Sequence, residues 1–385
     1  MTTMETDTRV LVTGANGFLG RNLCVALGRQ TGVTLTGIDL DSPPDDLARA
    51  LVSADVVFHL AGVNRPERLE DFETGNAGFT GELCDRLTAL GRRPVFVLAS
   101  SIQADLENPY GRSKRAAEEA VRRFSDATGA PVVIHRLKNL FGKWCRPNYN
   151  SVTATFCHNI ARDLPIQISD PANVVDLTHV DDVVAAFLGE LATVADRTGG
   201  VRYADPLPSY RRTLGELATL IRSFREQRTT LRLPDFSDPF VLALYGTYLS
   251  YLEPGDFAYD LEQRTDPRGS LAEFVKQGAF GQVFVSRTKP GITRGNHYHD
   301  TKCEKFLVVE GHAIIRFRHM MTGELVEYPV SGEQFRVVDI PPGYTHSIEN
   351  VGTTVLVTLF WSDQILDQDR PDTYFRPVLT DPEAS

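Results

Sequence analysis

The sequence predicts an α/β protein in two parts, a doubly wound parallel sheet followed by an all-β barrel. Three observations carry this. From Arg9 to about Asn139, short apolar runs alternate with amphipathic stretches, the pattern of strands covered by helices on both faces. A glycine-rich turn joins the first strand to the first helix. From about Glu253 the texture changes to short alternating runs broken by Gly- and Pro-containing turns, with no long helical pattern between them. The chain has 385 residues, and at roughly 100 to 200 residues per domain that length suits two or three domains. The expected boundary lies near residue 250, which gives segments 1–250 and 251–385.

The strands of the first part are RVLVTG, TLTGIDL, DVVFHLAG, PVFVLASS and VVIHRLKN, with helices between them. The first helix is expected over Arg21 to Arg29, and Ser209 to Glu226 also reads as helical. In the second part QVFVSRT, KFLVVEG, AIIRFRH, QFRVVDI and TVLVTLFW read as strands.

Composition excludes several classes. Apolar residues make up 42% and charged residues 23%, so the chain is neither disordered nor fibrous. A net charge of −10 disfavours a nucleic-acid partner. Five scattered cysteines with no C-x-x-C pair argue against a disulfide framework. The N-terminus lacks an apolar signal region, and the longest uncharged run, Phe240 to Leu252, is too short to span a membrane. A cytoplasmic protein without a membrane partner is expected.

The first strand runs into Thr13-Gly14-Ala15-Asn16-Gly17-Phe18-Leu19-Gly20. Gly14 suits the tight turn, Gly17 lets the backbone approach a pyrophosphate, and Gly20 allows helix to pack closely on strand. The spacing is one residue longer than G-x-G-x-x-G. Asp39 closes the second strand, where a carboxylate would accept from an adenosine ribose and repel a 2'-phosphate, which points to NADH.

After the fourth strand comes Ala99-Ser100-Ser101-Ile102-Gln103, then Tyr110-Gly111-Arg112-Ser113-Lys114 opening a helix. Tyr110 and Lys114 are four apart and share a face. An ammonium near the phenol would lower its pKa from about 10, making Tyr110 a proton donor and acceptor near neutrality, while Ser101 would hydrogen-bond a carbonyl oxygen.

These segments, together with HLAG at His59 to Gly62, Asn76, KNLFG at Lys138 to Gly142 and THVDDVV at Thr178 to Val184, resemble the extended short-chain dehydrogenase/reductases over about residues 8 to 190. The resemblance implies a Rossmann-like domain that moves hydride at a sugar carbon, with Ser101, Tyr110 and Lys114 catalytic. It places the cofactor against Gly14, Asn16, Gly17, Phe18, Leu19 and Gly20, against Leu60, Ala61 and Gly62, and against Tyr110 and Lys114. It points to NADPH where Asp39 points to NADH. Val174-Val175-Asp176-Leu177 stands where many members carry an arginine.

The second part contains Gly291-x5-His297-x-His299-x4-Glu304-x6-Gly311, then Pro341-Pro342-Gly343-x2-His346-x3-Asn350. His297 and His299, two apart on a strand, face the same way. With Glu304 and His346 they form a three-nitrogen, one-carboxylate set suited to Zn, Fe, Mn or Ni, and one zinc per chain is expected. His312 and His319 lie outside the pattern. The spacing resembles the two cupin motifs over about residues 275 to 362, with a stretch between Gly332 and Pro341 that suggests a longer hairpin.

A reductase of this kind fused to a cupin resembles the bifunctional capsular-polysaccharide enzymes. That resemblance implies a UDP-2-acetamido-2,6-dideoxy-hexos-4-ulose substrate leading to UDP-N-acetyl-L-fucosamine, with the cupin epimerising C3 and the reductase then reducing C4. The chemistry supports the order: the 4-ketone acidifies the proton at C3, and reduction removes the ketone. Lys302, Lys305 and Tyr298 are candidate bases. Two alternatives remain at this level, a 4-ketoreductase of another nucleotide sugar whose cupin only holds or dimerises the protein, and a non-enzymatic dinucleotide-sensing regulator. A homodimer or higher homo-oligomer is expected.

Overall fold

Near-continuous apolar strands build the first sheet of the computed structural model. The structure describes residues 7–65, 68, 70–192, 199–262, 264–266, 269–271, 275, 281–364 and 369–380. β1 (Thr8–Thr13), β2 (Val33–Ile38), β3 (Val56–His59), β4 (Val95–Ser101) and β5 (Pro131–Leu137) are the five expected strands. All of β3 and β4 is buried, as expected for a parallel sheet covered on both faces. Helices α1 (Phe18–Leu27), α2 (Pro44–Ser53), the single turn α3 (Glu70–Phe72), α4 (Phe79–Ala89) and α5 (Pro109–Thr128) connect them. Alternation along the strands sorts side chains into two cores. Leu11, Val57 and Phe96 pack with Val121 and Phe124 of α5, while Val10, Val12, Phe58 and Val97 pack with Leu23 of α1.

Two compact units divide the chain, residues 1–151 with 175–212 and residues 152–174 with 213–385. In the first, β8 (Gly200–Tyr203) completes a parallel sheet of order β2-β1-β3-β4-β5-β8. The strand order reverses between β1 and β3, so their carboxyl ends open a crevice. α1 begins three residues before the expected Arg21, straight after Gly17. α7 (Val180–Ala192) covers the second core through Phe187, which stacks on Phe58 at 5.6 Å. β6 (Asn139–Phe141), β7 (Val174–His179) and β9 (Tyr210–Thr213) form a small second sheet.

β9 corrects the expectation of a helix from Ser209. Thr213 accepts from the Glu216 N–H while the Glu216 carboxylate accepts from the Thr213 N–H, and this capping box fixes the helix start. The residues before it are strand.

The second unit contains α6 (Val152–Ala161), α8 (Leu214–Thr230), α9 (Pro239–Leu249) and a barrel. One barrel sheet has the order β10-β18-β15-β20-β13 and the other β17-β16-β19-β14-β21. Their strands are β10 (Ala258–Asp260), β13 (Gln282–Thr288), β14 (Thr293–Tyr298), β15 (Glu304–Glu310), β16 (His312–His319), β17 (Leu325–Ser331), β18 (Arg336–Ile340), β19 (Tyr344–Asn350), β20 (Leu356–Ser362) and β21 (Tyr374–Phe375). A separate hairpin joins β11 (Arg264–Asp266) to β12 (Gly269–Leu271). Pro329 is tolerated because β17 is an edge strand. The stretch after Gly332 is not a longer hairpin: β18 leaves β17 and pairs with β15 and β10 in the other sheet.

α9 is buried on most of its surface because it contacts α8 and the barrel together. Tyr245 donates to Gln227 of α8 at 2.6 Å, and a Cβ on Gly246 would lie 3.6 Å from both Cys303 and Pro342. No helix among the described residues is long and apolar enough to cross a membrane.

Candidate functional site

The glycine turn after β1 is a cradle that side chains would fill. A Cβ on Gly14, whose φ is +71°, would meet the Ala61 nitrogen at 2.7 Å, and one on Gly20 would meet the Gly14 carbonyl at 2.0 Å. α1 starts at Phe18 with no side-chain cap and no acid in its first turn, so its leading N–H groups are left for an anion. Asn16 and Leu19 lie in the same turn, and Leu60, Ala61 and Gly62 follow β3 across the crevice. Asp39 follows β2 and accepts from the Asn16 N–H at 2.7 Å and the Leu40 N–H at 2.8 Å. With Asp41, which accepts from the Asn16 amide at 3.3 Å, it makes this corner of the cradle acidic.

Ser101 ends β4, and the next helix brings Tyr110 and Lys114 to it. Asn108 caps α5 by accepting from the Gly111 N–H at 2.7 Å, and Pro109 occupies the first turn, so Tyr110 is held at the helix entrance and Lys114 one turn on. The Lys114 ammonium donates to the Ala99 carbonyl at 3.2 Å and lies 5.8 Å from the centre of the Tyr110 ring. A Cβ on Gly62 would come within 3.2 Å of that ammonium. The three predicted residues thus converge beside the crevice.

The expected depression of the Tyr110 pKa does not hold in this state. Burial pushes the phenol up, and the Ser101 hydroxyl beside it only partly offsets this. Burial also brings Lys114 down to about 8, with the Glu118 carboxylate pulling the other way. The missing arginine near Val174 is matched by a local pairing in which Lys138 donates to Asp176 at 2.6 Å and to Ser209 at 2.7 Å.

Sequence reasoning missed Asn64 here and gave Asn76 no role. Tyr110 donates to the Asn64 amide oxygen at 3.1 Å, and Asn76 closes the loop after β3 by bonding both polar groups of the Val63 backbone. Asn76 had a motif signal; Asn64 follows Gly62 by two residues and had none.

In the second unit one ligand atom from each of His297, His299, Glu304 and His346 lies within 4.8 Å of all the others. A bulge between Gly295 and His297, with Asn296 at φ 55°, turns the end of β14 so that both histidines converge. His346 is fully buried, and among the described residues neither of its ring nitrogens has a hydrogen-bond partner; Nε2 of His299 has none either. Orphaned buried nitrogens carry a desolvation cost that a cation would remove. Burial lowers His297 to about 3 and also lowers His346. Glu304 is held well below the usual carboxylate range, because His299 and His346 outweigh the effect of burial. Neutral imidazoles and an ionised carboxylate are the state a divalent cation requires, and the donor set fits one.

Two of the three candidate bases point elsewhere. Lys305 is buried against Asp339 on the opposite face of β15 from Glu304, and the Tyr298 ring packs on Tyr374 at 5.3 Å. Lys302 is tied to the Pro371 carbonyl at 2.7 Å and the Thr373 hydroxyl at 3.0 Å. His319 bonds its own turn, accepting from the Met321 and Thr322 N–H groups, and His312 is exposed.

Comparison with known proteins matches residues 10–201 to the NAD dependent epimerase/dehydratase family and residues 264–374 to the polysaccharide biosynthesis C-terminal domain. The chain is 43% identical over 366 residues to a UDP-2-acetamido-2,6-beta-L-arabino-hexul-4-ose reductase of Pseudomonas aeruginosa, covering 95% of this chain and 98% of that one. It is similar to the crystal structure of the capsular polysaccharide assembling protein CapF of Staphylococcus aureus, with 45% identity and a TM-score of 0.64 over 96% of this chain and 100% of that one. A structure of CapF with the inhibitor 3-isopropenyl-tropolone is 41% identical with a TM-score of 0.59, again over 96% and 100%.

Proposed function

The chain belongs to the family of the Pseudomonas reductase and CapF, and we propose that it is a bifunctional enzyme acting on a UDP-2-acetamido-2,6-dideoxy-hexos-4-ulose. It inverts C3 and then reduces the C4 ketone, toward UDP-N-acetyl-L-fucosamine-type sugars of surface polysaccharide. The observation that carries this is the convergence of Ser101, Tyr110 and Lys114 beside the Gly14–Gly20 cradle. Residues 1–250 serve the reduction and residues 251–385 the epimerisation.

Ser101 and Tyr110 hydrogen-bond the ketone oxygen at C4. Bound reduced nicotinamide supplies the hydride that C4 accepts. Tyr110 gives its phenolic proton to the resulting alkoxide, and the nearby Lys114 ammonium stabilises the phenolate left behind. Gly14, Asn16, Gly17, Phe18, Leu19, Gly20, Leu60, Ala61 and Gly62 would hold the dinucleotide. The acidic corner at Asp39 and Asp41 favours NADH over NADPH.

His297, His299, Glu304 and His346 would hold one divalent metal, zinc by its ligand preferences, and it would supply positive charge to stabilise an oxyanion during proton exchange at C3. The five cysteines are scattered through the sequence with no C-x-x-C pair, which suits a reducing cytoplasm. Phe375 is 78% exposed on edge strand β21 and supports a homodimer through this sheet. The test is to incubate the protein with the 4-keto sugar and either reduced cofactor, following cofactor oxidation and identifying the product by NMR. Absence of cofactor oxidation with folded, metal-loaded protein would overturn the reading.

A further inference from the structure

We propose that Glu118 is a positioning residue for the reduction, setting the place of Ser101 and the charge of Lys114 from one helical turn beyond the lysine. This rests on the reading of Ser101, Tyr110 and Lys114 given above. Glu118 is 2% exposed, and every bond it makes leads to the strands beside the trio.

One carboxylate oxygen accepts from the Ser100 hydroxyl at 2.5 Å and from Nε of Arg136 at 2.8 Å. The other accepts from the second guanidinium arm at 2.7 Å and from the Tyr203 hydroxyl at 2.7 Å. Arg136 in turn donates to Asp105 at 2.6 Å. Ser100 immediately precedes Ser101, and Asp105 ends the short 3-10 turn that follows it. The Glu118–Arg136 pair therefore grips the chain on both sides of Ser101 and ties it to the helix carrying Tyr110 and Lys114. A bidentate pair whose carboxylate is buried fixes geometry better than a fully exposed one.

The same carboxylate acts on Lys114. Residues four apart on a helix are neighbours, and Lys114 is buried with a carbonyl, not a carboxylate, as its hydrogen-bond acceptor. Among the described residues, Glu118 is the anion that acts on it. His59 of β3 is bonded to Thr13 and Thr80, and burial brings it to about 3, so it is neutral. Tyr110 stays a neutral phenol, Asn76 is uncharged, and Arg136 is already paired with Glu118 and with Asp105. Burial of Lys114 favours the neutral amine, and Glu118 opposes that change.

The test is the pH dependence of kcat/KM for ketone reduction, with the wild type compared against Glu118→Gln, Ser100→Ala and the exposed control Glu119→Gln. Loss of the anion lowers the pKa of a cation, so the basic limb of Glu118→Gln should move about one pH unit lower. Ser100→Ala removes one grip and no charge; its kcat should fall about 10-fold, with KM and the basic limb unchanged. Glu119→Gln should match the wild type. Should Glu118→Gln fail to fold, Ser100→Ala decides alone, and an unchanged kcat there overturns the proposal. A Glu118→Gln profile superimposable on the wild type overturns it equally. A wild type that reduces no ketone overturns the reading of the trio instead.

Discussion

Nδ1 of His299 lies 2.6 Å from the backbone carbonyl oxygen of Asp372, 73 residues away in the chain. A carbonyl only accepts, so Nδ1 carries the proton, and Nε2 lies 3.3 Å from the Glu304 carboxylate. The Asp372 carboxylate accepts from the N–H groups of Asp300, Thr301 and Lys302, at 3.0, 3.0 and 2.8 Å. One residue thus sets the tautomer of a ligand and clamps the turn leading to the next.

Replacing Asp372 should therefore weaken the metal without touching the dinucleotide site. Asp372→Ala should lose about 10- to 100-fold in zinc affinity by chelator competition. Asp372→Asn, which tolerates the local φ of 41° and retains one acceptor, should recover part of it. Equal affinity in all three proteins would show that His299 needs no such support.

The ligand set makes a direct prediction. As purified, the protein should carry about one divalent ion per chain, and His297→Ala should carry much less by elemental analysis. An unchanged metal content in the variant would remove these four residues as ligands.

Cofactor choice turns on Asp39. Steady-state kinetics should show lower KM for NADH than for NADPH, and Asp39→Asn should narrow the ratio by removing a charge that repels a 2'-phosphate. A clear NADPH preference in the wild type would mean that Asp39 serves only the Asn16 and Leu40 N–H groups it now holds.

What could be read from the sequence follows from where the information lies. The parallel strands were legible because burial on both faces makes them uninterrupted apolar runs, as in VVFH. The clustering of the three histidines with Glu304 was legible because three of the four fall within eight residues. β14 was legible only in part: His297 and His299 read as one strand, but Gly295 and Asn296 spoil its alternation at a bulge, and it ends at Tyr298, leaving His299 just beyond it. Polar β9 shows a helical texture until Thr213 caps it. Glu118 follows Lys114 by four positions, yet its meaning depends on Arg136 and Tyr203, which only the sheet brings together.

The limits of the barrel as a folding unit are also testable. Arg228 of α8 pairs with buried Asp339 at 3.2 Å, and Phe236 stacks on the fully buried Trp361 at 5.8 Å. A fragment starting at residue 255 would expose Trp361 and remove one partner of Asp339. A fragment of residues 213–385 should melt at clearly higher temperature than one of residues 255–385. Equal melting temperatures would mean that the helices add nothing to the barrel.

The last prediction separates the two activities. In the proposed function the phenol of Tyr110 serves carbonyl reduction alone, and proton exchange at C3 takes place at the pocket of His297, His299, Glu304 and His346. Tyr110→Phe keeps the ring packed against Phe72, at 5.6 Å between centres, so the fold of the first unit is preserved while its proton donor is lost. Given the 4-keto sugar in deuterated water, this variant should oxidise no reduced cofactor yet incorporate deuterium at C3 by NMR. The 213–385 fragment should do the same with no nicotinamide present. A folded, metal-loaded fragment that leaves C3 at the no-enzyme background would make the barrel a supporting module and leave reduction as the single activity.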